Sequence, residues 1–401
     1  MRLGVIGGKL QGTEAAYLAL KAGYEVVLVD RREASPASGL AHETHVLDVT
    51  DDERATRDVL KSCDAVLPAF EDEEALTWLA ARVPAWDVPF LFDPSSYHVS
   101  CSKERSGSLF ERLGLPRPSP WPGCGFPMIV KPSGSSGSAG VRLVEDEDEL
   151  AAARDELEAE GHIVVVEEFA PGPSLSLEVI GDGSDALPLQ VTLLEFDRYY
   201  DCKRVVAPIE EIGDGGTPAD EILAAFDRIG LVLAGALRLR GVMDIEVMLH
   251  GGMLKLLEID ARLPSQTPTA VLHSCDVNMV QVLVDSVFGG RLSQVDRSAR
   301  RASCYQHARV GGGAVEVLGE HMMGSARPLR LAQGLFGADE VLLDLPEGAD
   351  PRSEWVATII TRGETAAAAR EKAAAAVDAI ATEAGAVVAP ESSAMPGDEC
   401  R

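Results

Sequence analysis

Positive charge is scarce in this chain of 401 residues: 36 lysines and arginines stand against 64 aspartates and glutamates, a formal net charge of −28. Nucleic-acid backbones and anionic membranes are bound through clustered Lys and Arg, so general affinity for either is disfavoured and any phosphate site must be local. Cysteine is sparse as well. The seven, at positions 63, 101, 124, 202, 275, 304 and 400, are odd in number and scattered without C-x-x-C spacing, which argues against a disulfide framework and structural zinc. The eight histidines form no ligand cluster in the sequence. No apolar run approaches a membrane span, and the opening M-R-L-G-V-I-G-G has no signal-peptide cleavage pattern, so a cytoplasmic enzyme is expected. Two nucleotide signatures are also missing. The Walker spacing G-x-x-x-x-G-K-S/T is absent, and the glycines at 4, 7, 8 and 12 match the dinucleotide fingerprint poorly.

What is present is an alternation of short strands and helices. A strand over 3–6, the turn G-G-K-L-Q-G at 7–12, a helix over 13–21 and a strand over 25–29 ending at Asp30 make a βαβ start. Strands over 45–48, 64–68 and 89–92 follow, separated by helices over 51–60 and 71–81. This predicts an α/β fold opening on a doubly wound parallel sheet over 1–92, with α+β character in the second half. Ligands of such sheets sit beyond the carboxyl ends of the strands, here at 7–12, Asp30, Asp48 and Phe70-Glu71. Lys9 and Gln11 within the turn suit a carboxylate or phosphate better than a pyrophosphate cradle of bare glycine.

Beyond Asp93 come a helix over 103–113 and a Pro-rich connection, then F-P-M-I-V-K-P-S-G-S-S-G-S-A-G at 126–140, a strand closing on Lys131 before a Gly/Ser loop. The loop is either a mobile linker or a flap whose backbone N–H groups fold over phosphate, and Lys131 favours the flap. Glu167-Glu168-Phe169-Ala170 reads as a strand end that offers adenine a main-chain donor and acceptor, or as a merely solvated edge. The polar, aromatic loop 197–203 either closes over a substrate or is surface. A helix over 217–237, with Thr217 as cap and Pro218 at its first position, leads into Gly241 to Thr269, two apolar strands about the turn His250-Gly251-Gly252. Closing that hairpin brings Glu246 level with Glu258, while Glu258 and Asp260 share a strand face. Three converging carboxylates raise one another's pKa or require a cation, and Mg2+ is the simplest, since it takes one or two carboxylates plus nucleotide phosphates. Arg262 adds a fixed positive charge suited to phosphate or a developing anion. The alternative is a polar edge on an ordinary hairpin. An Ala-rich helix over 364–383 and a disordered tail over 386–401 complete the chain.

The order of these landmarks, with Lys103, Lys131-Pro132, the Gly/Ser loop, Glu167-Glu168-Phe169, Glu246 and E-I-D-A-R at 258–262, resembles the ATP-grasp superfamily of carboxylate-amine ligases. The resemblance implies a central lid over 93–180, a C-terminal catalytic domain over 181–385, and ATP with two Mg2+ ions. Lys103 and Lys131 would contact phosphates, Ser135 and Ser136 in the flap would cover them, Glu167, Glu168, Phe169 and Ala170 would receive adenine, and Glu246, Glu258 and Asp260 would hold the metal. Lys9, Asp30 and Asp48 are further candidates for ATP. Many relatives carry an acidic ribose ligand where this chain has Gly172-Pro173-Ser174, leaving Ser174 as the candidate. Finer runs, G-G-K-L-Q-G at 7–12, S-L-E-V at 176–179, G-V-M-D-I-E at 241–246 and E-I-D-A-R-L-P-S-Q-T-P-T at 258–269, are similar to the pyrrolysine-biosynthetic ligases that join (3R)-3-methyl-D-ornithine to the ε-amine of L-lysine. By that resemblance Leu10, Gln11 and Glu71 face lysine, Glu178, Arg262, Ser265, Gln266 and Thr267 face methylornithine, and Asp201 is a further substrate candidate. Arg262 and Lys131 would be the catalytic cations. Relatives often pair, which leaves room for a homodimer.

Overall fold

The computed structural model describes residues 1–135, 137, 139–210 and 219–391. Ser136, the Thr217-Pro218 helix cap and the last ten residues of the expected tail lie outside the described residues.

The first sheet is four-stranded and parallel, in the order Glu43–Val46, Glu25–Asp30, Arg2–Ile6, Ala65–Pro68. Alternate side chains of these strands serve two cores, as expected for a sheet covered on both faces. Leu3, Val5, Val26 and Leu28 pack with Tyr17 and Leu18 of the Leu10–Lys21 helix. Val27, Val29 and Val66 pack on the other side with Leu60 and Leu79 of the Glu53–Leu60 and Glu73–Arg82 helices. The expected strand at 89–92 contributes a single parallel bridge, Phe90 to Val66. The first helix starts at Leu10 and takes Gly12 into its opening turn. A Cβ at Gly12 would lie 2.0 Å from the Gly7 carbonyl oxygen, so only glycine lets the helix press this close to the strand end.

A second, three-stranded antiparallel sheet is ordered Arg142–Val144, Met128–Pro132, Val164–Glu168. It is backed by the Glu147–Ala159 helix, whose Leu150, Ala153 and Leu157 recur at helical spacing against Met128, Val130 and Val144. Asp146 caps that helix by accepting from the Asp148 and Glu149 N–H groups.

The third sheet, of 12 strands, carries the hairpin at one end, with Met253–Asp260 beside Arg240–His250 and then Ser174–Asp182. The lid expected over 93–180 takes in Ser174 to Ile180, but the Ser174–Asp182 strand pairs along its whole length with Arg240–His250 of the hairpin and so lies in this larger sheet. The Ala219–Leu237 helix seats Ile222, Phe226 and Leu233 on Leu175, Leu177, Val179 and Ile245 of these strands. The Gly311-Gly312-Gly313 run turns the Ala302–Gly311 strand back into Ala314–Glu316. The Ala-rich helix spans Ala366–Ala384. None of the described helices is long and apolar enough to cross a membrane.

Candidate active site

The hairpin closes through Gly251 and Gly252, both at positive φ (57° and 73°), and its register sets Glu246 opposite Glu258 and Asp244 opposite Asp260. Leu257 is the extra residue of a bulge between the pairs Glu246–Glu258 and Val247–Leu256. Alternation buries Ile245 and Val247 in the core and turns Asp244 and Glu246 to the other face. Sequence reasoning missed Asp244, although the i, i+2 rule that joined Glu258 to Asp260 also joins Asp244 to Glu246. The Ser176 hydroxyl lies between Asp244 Oδ1 (2.5 Å) and Glu178 Oε1 (3.1 Å) and donates to one at a time, while Glu178 Oε2 is buried without a hydrogen-bond partner.

The patch holds more negative charge than its surroundings neutralise. Burial pushes Glu246 well above the usual carboxylate range, and Glu258, Asp244 and Asp260 push it further. Asp260 is raised by burial despite Arg262, with Glu258, Glu71 and Asp244 adding to the rise. Glu258 goes the other way: burial disfavours its charge, but Lys103, Lys131 and Arg262 outweigh that and hold it low. Lys103 Nζ sits 2.7 Å from Glu258 Oε2, and although burial opposes the ammonium, Glu258, Asp260 and Glu246 keep it charged. Among the described residues no three acidic, histidine or cysteine groups already converge as a metal cage. The acidic side chains of this face suit Mg2+, which is bound through one or two carboxylates and completes its shell with waters and phosphate oxygens.

Three cavities lie around this hairpin and the Arg262–Thr267 segment that follows it. The first, about 650 Å³, lies between the three-stranded sheet and the large sheet. Lys103, Lys131, Ser135, the Glu167–Ser174 segment, Glu246 and Glu258 all line it, so residues expected around ATP phosphates and adenine share one cleft with two of the three expected metal ligands, while Asp260 lines the third cavity. Lys131 ion-pairs with Glu167 across adjacent strands, and Glu168 with Lys255 at 2.6 Å. The Glu168 and Phe169 N–H groups donate to the Ser119 and Pro127 carbonyls, so these two donors are already engaged. Ser174 lines this cleft, and its Oγ is buried without a hydrogen-bond partner. The sequence reading did not single out Lys203 and Arg204, which line the same cleft with Glu391, their shared ion-pair partner at 3.1 and 2.6 Å. Nothing local in the sequence joins positions this far apart.

The second cavity, about 830 Å³, opens at the carboxyl ends of the parallel strands. Lys9, Asp30 and Asp48 line it together with Leu10, Gln11, Glu71 and Phe70, apart from the cleft of Lys103 and Lys131. The structure therefore does not bring the first three to the cleft that gathers the other residues expected around ATP. The reason is architectural, since their strands end in a different crevice from the one the lid sheet covers. Asp30 moreover serves the backbone, accepting from Gly8 N at 2.6 Å and Arg32 N at 2.7 Å. Glu71 Oε1 accepts from Gln11 Nε2 at 2.6 Å and from Arg262 Nε at 2.8 Å.

A third, small cavity of about 90 Å³ shares Glu246 and Glu258 with the first and Arg262, Ser265 and Glu320 with the second. Asp201, Gln266 and Thr267 also line it, with Asp244 and Asp260. Glu178 is not in the lining and stands behind it, against Ser176. Gln266 (φ 70°) precedes the Thr267–Cys275 helix. Arg262 bridges Glu71 (2.7 Å) and Asp260 (3.0 Å), so one cation links the second cavity to the carboxylate hairpin.

A lid sheet over a large antiparallel sheet, paired lysines facing a nucleotide-sized cleft and a carboxylate-bearing hairpin define an ATP-grasp enzyme, and a family model described as an ATP-grasp domain matches residues 105–266. The chain is 37% identical over 321 residues to the 3-methyl-D-ornithine–L-lysine ligase of Methanosarcina acetivorans, covering 80% of this chain and 83% of that protein. It belongs to that ATP-grasp ligase family. A formate-dependent phosphoribosylglycinamide formyltransferase of Dechloromonas aromatica is 26% identical over 403 residues, 93% of this chain and 94% of that protein. Among solved structures, the biotin carboxylase domain of Hydrogenobacter thermophilus 2-oxoglutarate carboxylase, a dimer in complex with MgADP, ADP and bicarbonate, shares the fold with a TM-score of 0.72 at 16% identity, covering 94% of this chain and 89% of that one.

Proposed function

We propose that this ligase joins the carboxylate of (3R)-3-methyl-D-ornithine to the ε-amine of L-lysine through an acyl phosphate, at the expense of ATP, as a step of pyrrolysine biosynthesis. The observation that carries the reading is the line of three cavities, with the acidic hairpin and Arg262 where they meet. In it ATP occupies the first cavity, methylornithine the third, and lysine the second, against Leu10, Gln11 and Glu71. Residues 1–92 supply the lysine side, the three-stranded sheet is the lid, and the large sheet supplies the catalytic floor.

Lys103 and Lys131 hold the triphosphate so that the methylornithine carboxylate meets the γ-phosphorus in line, a reaction that depends on positioning and charge neutralisation. Mg2+ held by Glu246, Glu258 and Asp260 would neutralise the phosphate oxygens. Arg262 then stands where the oxyanion forms when the lysine amine adds to the acyl carbon. Gly137 brings the Gly/Ser loop to the second and third cavities, and its closure with the 197–203 loop keeps water from the acyl phosphate.

The test is direct. Pure protein with ATP, Mg2+, 3-methyl-D-ornithine or D-ornithine, and L-lysine should yield the isopeptide and ADP together by mass spectrometry. ADP release that needs neither amino acid would remove the reading.

A further inference from the structure

Among the described residues Glu320 is the one carboxylate common to the linings of the second and third cavities, the two that the proposed function gives to lysine and to the activated carboxylate. It opens the Glu320–Ser325 turn, remote in sequence from every motif of the family resemblance. Its Oε2 accepts from Ser265 Oγ at 2.6 Å, and it pairs with no cation among the described residues. The neighbouring carboxylates are committed elsewhere. Glu71 and Asp260 are held by Arg262, Asp244 and Glu178 share Ser176, Glu258 is held by Lys103, and Asp201 is bound to His321 at 2.8 Å. Glu246 faces the nucleotide side and does not line the second cavity. Arg262, the cation suited to an oxyanion, lines the same two cavities as Glu320. The shared wall thus carries a positive group for the oxygen and a negative group for the nitrogen.

We propose that Glu320 is the general base that takes the proton from the attacking lysine nitrogen. The assignment rests on the proposed function above. The incoming ε-ammonium gives one proton to the Glu320 carboxylate, and the nitrogen lone pair forms the C–N bond. The C–O bond to phosphorus breaks with its electron pair on the phosphate, which carries away the second nitrogen proton, and Glu320 returns its own to solvent. The groups facing Glu320 suit the task. Burial raises its pKa, the hydrogen bonds of Gln266 and Ser265 oppose the rise, Asp201 adds to it and His321 lowers it. Glu14, Tyr305 and Cys202 are also within its electrostatic reach. A base drawn up from the ordinary carboxylate range transfers protons more effectively near neutral pH.

Glu320→Gln keeps the shape and removes the base. The test compares lysine with hydroxylamine, an amine already neutral at pH 7.5 that needs no base. In the variant, isopeptide formation should fall by about 100-fold or more, while hydroxamate formation stays close to wild type. The residual lysine rate should climb about tenfold per pH unit below the free amine's pKa of ~10.4, where the wild type is flatter. Unchanged lysine ligation overturns the assignment. So does equal loss of both products, or a higher KM for lysine with an unaltered pH profile. A wild-type enzyme that makes neither isopeptide nor hydroxamate instead removes the ligase reading, and the base with it.

Discussion

Glu258 is the acidic side chain whose neighbours leave it charged, because Lys103, Lys131 and Arg262 overcome its burial, whereas Glu246 and Asp260 are driven toward the neutral form. Removing its charge while keeping its shape isolates that difference. Glu258→Gln is expected to lower kcat by about 100-fold or more, the usual scale for losing one group that stabilises transition-state charge. Its melting midpoint by circular dichroism should stay within about 5 °C of wild type. Retained turnover would count against the metal and phosphate role of the hairpin. The spacing of Glu258 and Asp260 and the level of Glu246 were legible in sequence because both follow from strand alternation and a two-glycine turn. Asp244 obeys the same rule but hides in an apolar run, and its partner Ser176 stands on another strand 68 positions away.

Elements disclose the limits of local signals. The Leu10–Lys21 helix begins earlier than predicted, and the residue before it, Lys9, makes no side-chain cap, as Gln266 makes none before Thr267–Cys275. A helix started by tertiary packing leaves no Ser, Thr, Asp or Asn to announce it. The turn between the three-stranded sheet and the large sheet shows the opposite case, in which one residue type is required. Gly172 has φ of 152°, and a Cβ there would stand 2.0 Å from the Leu249 carbonyl oxygen. Gly172→Ala should therefore displace the Glu167–Ser174 wall of the nucleotide cleft, weakening ADP binding several-fold by calorimetry and costing about 1–3 kcal/mol of stability. Unchanged affinity would show that the wall tolerates the shift.

Across the whole molecule, a buried polar chain ties the first helix to the large sheet. Arg362 Nε donates to His273 Nδ1 at 2.8 Å, which leaves His273 Nε2–H to donate to Tyr17 Oη at 2.6 Å, and Tyr17 donates to Glu340 at 2.8 Å. Lys21 closes the chain on Glu340 at 2.6 Å. The arrangement needs a neutral imidazole, and burial, with Arg362, Lys21 and Arg301, lowers the His273 pKa to about 3. An unfolded histidine titrates near ~6.5, so below that pH the unfolded chain binds the extra proton, and the stability from this group is complete above ~6.5 and lost as pH falls toward 3. Between pH 6.5 and 5 this amounts to about 2 kcal/mol. In urea titrations His273→Gln should be less stable than wild type at pH 7, and the gap should narrow by that amount at pH 5; a constant gap would refute the neutral-histidine network. Taken alone, the sequence determined the alternating elements of the first sheet, the hairpin with its acidic face and the run of lysines and glycines before it, because strand period, turn chemistry and charge spacing act over a few residues. Only the tertiary structure decided that Lys9, Asp30 and Asp48 stand apart from the lid's cleft, that Glu391 meets Lys203 and Arg204, and that Glu320 stands beside Arg262, because these meetings depend on how separate sheets pack.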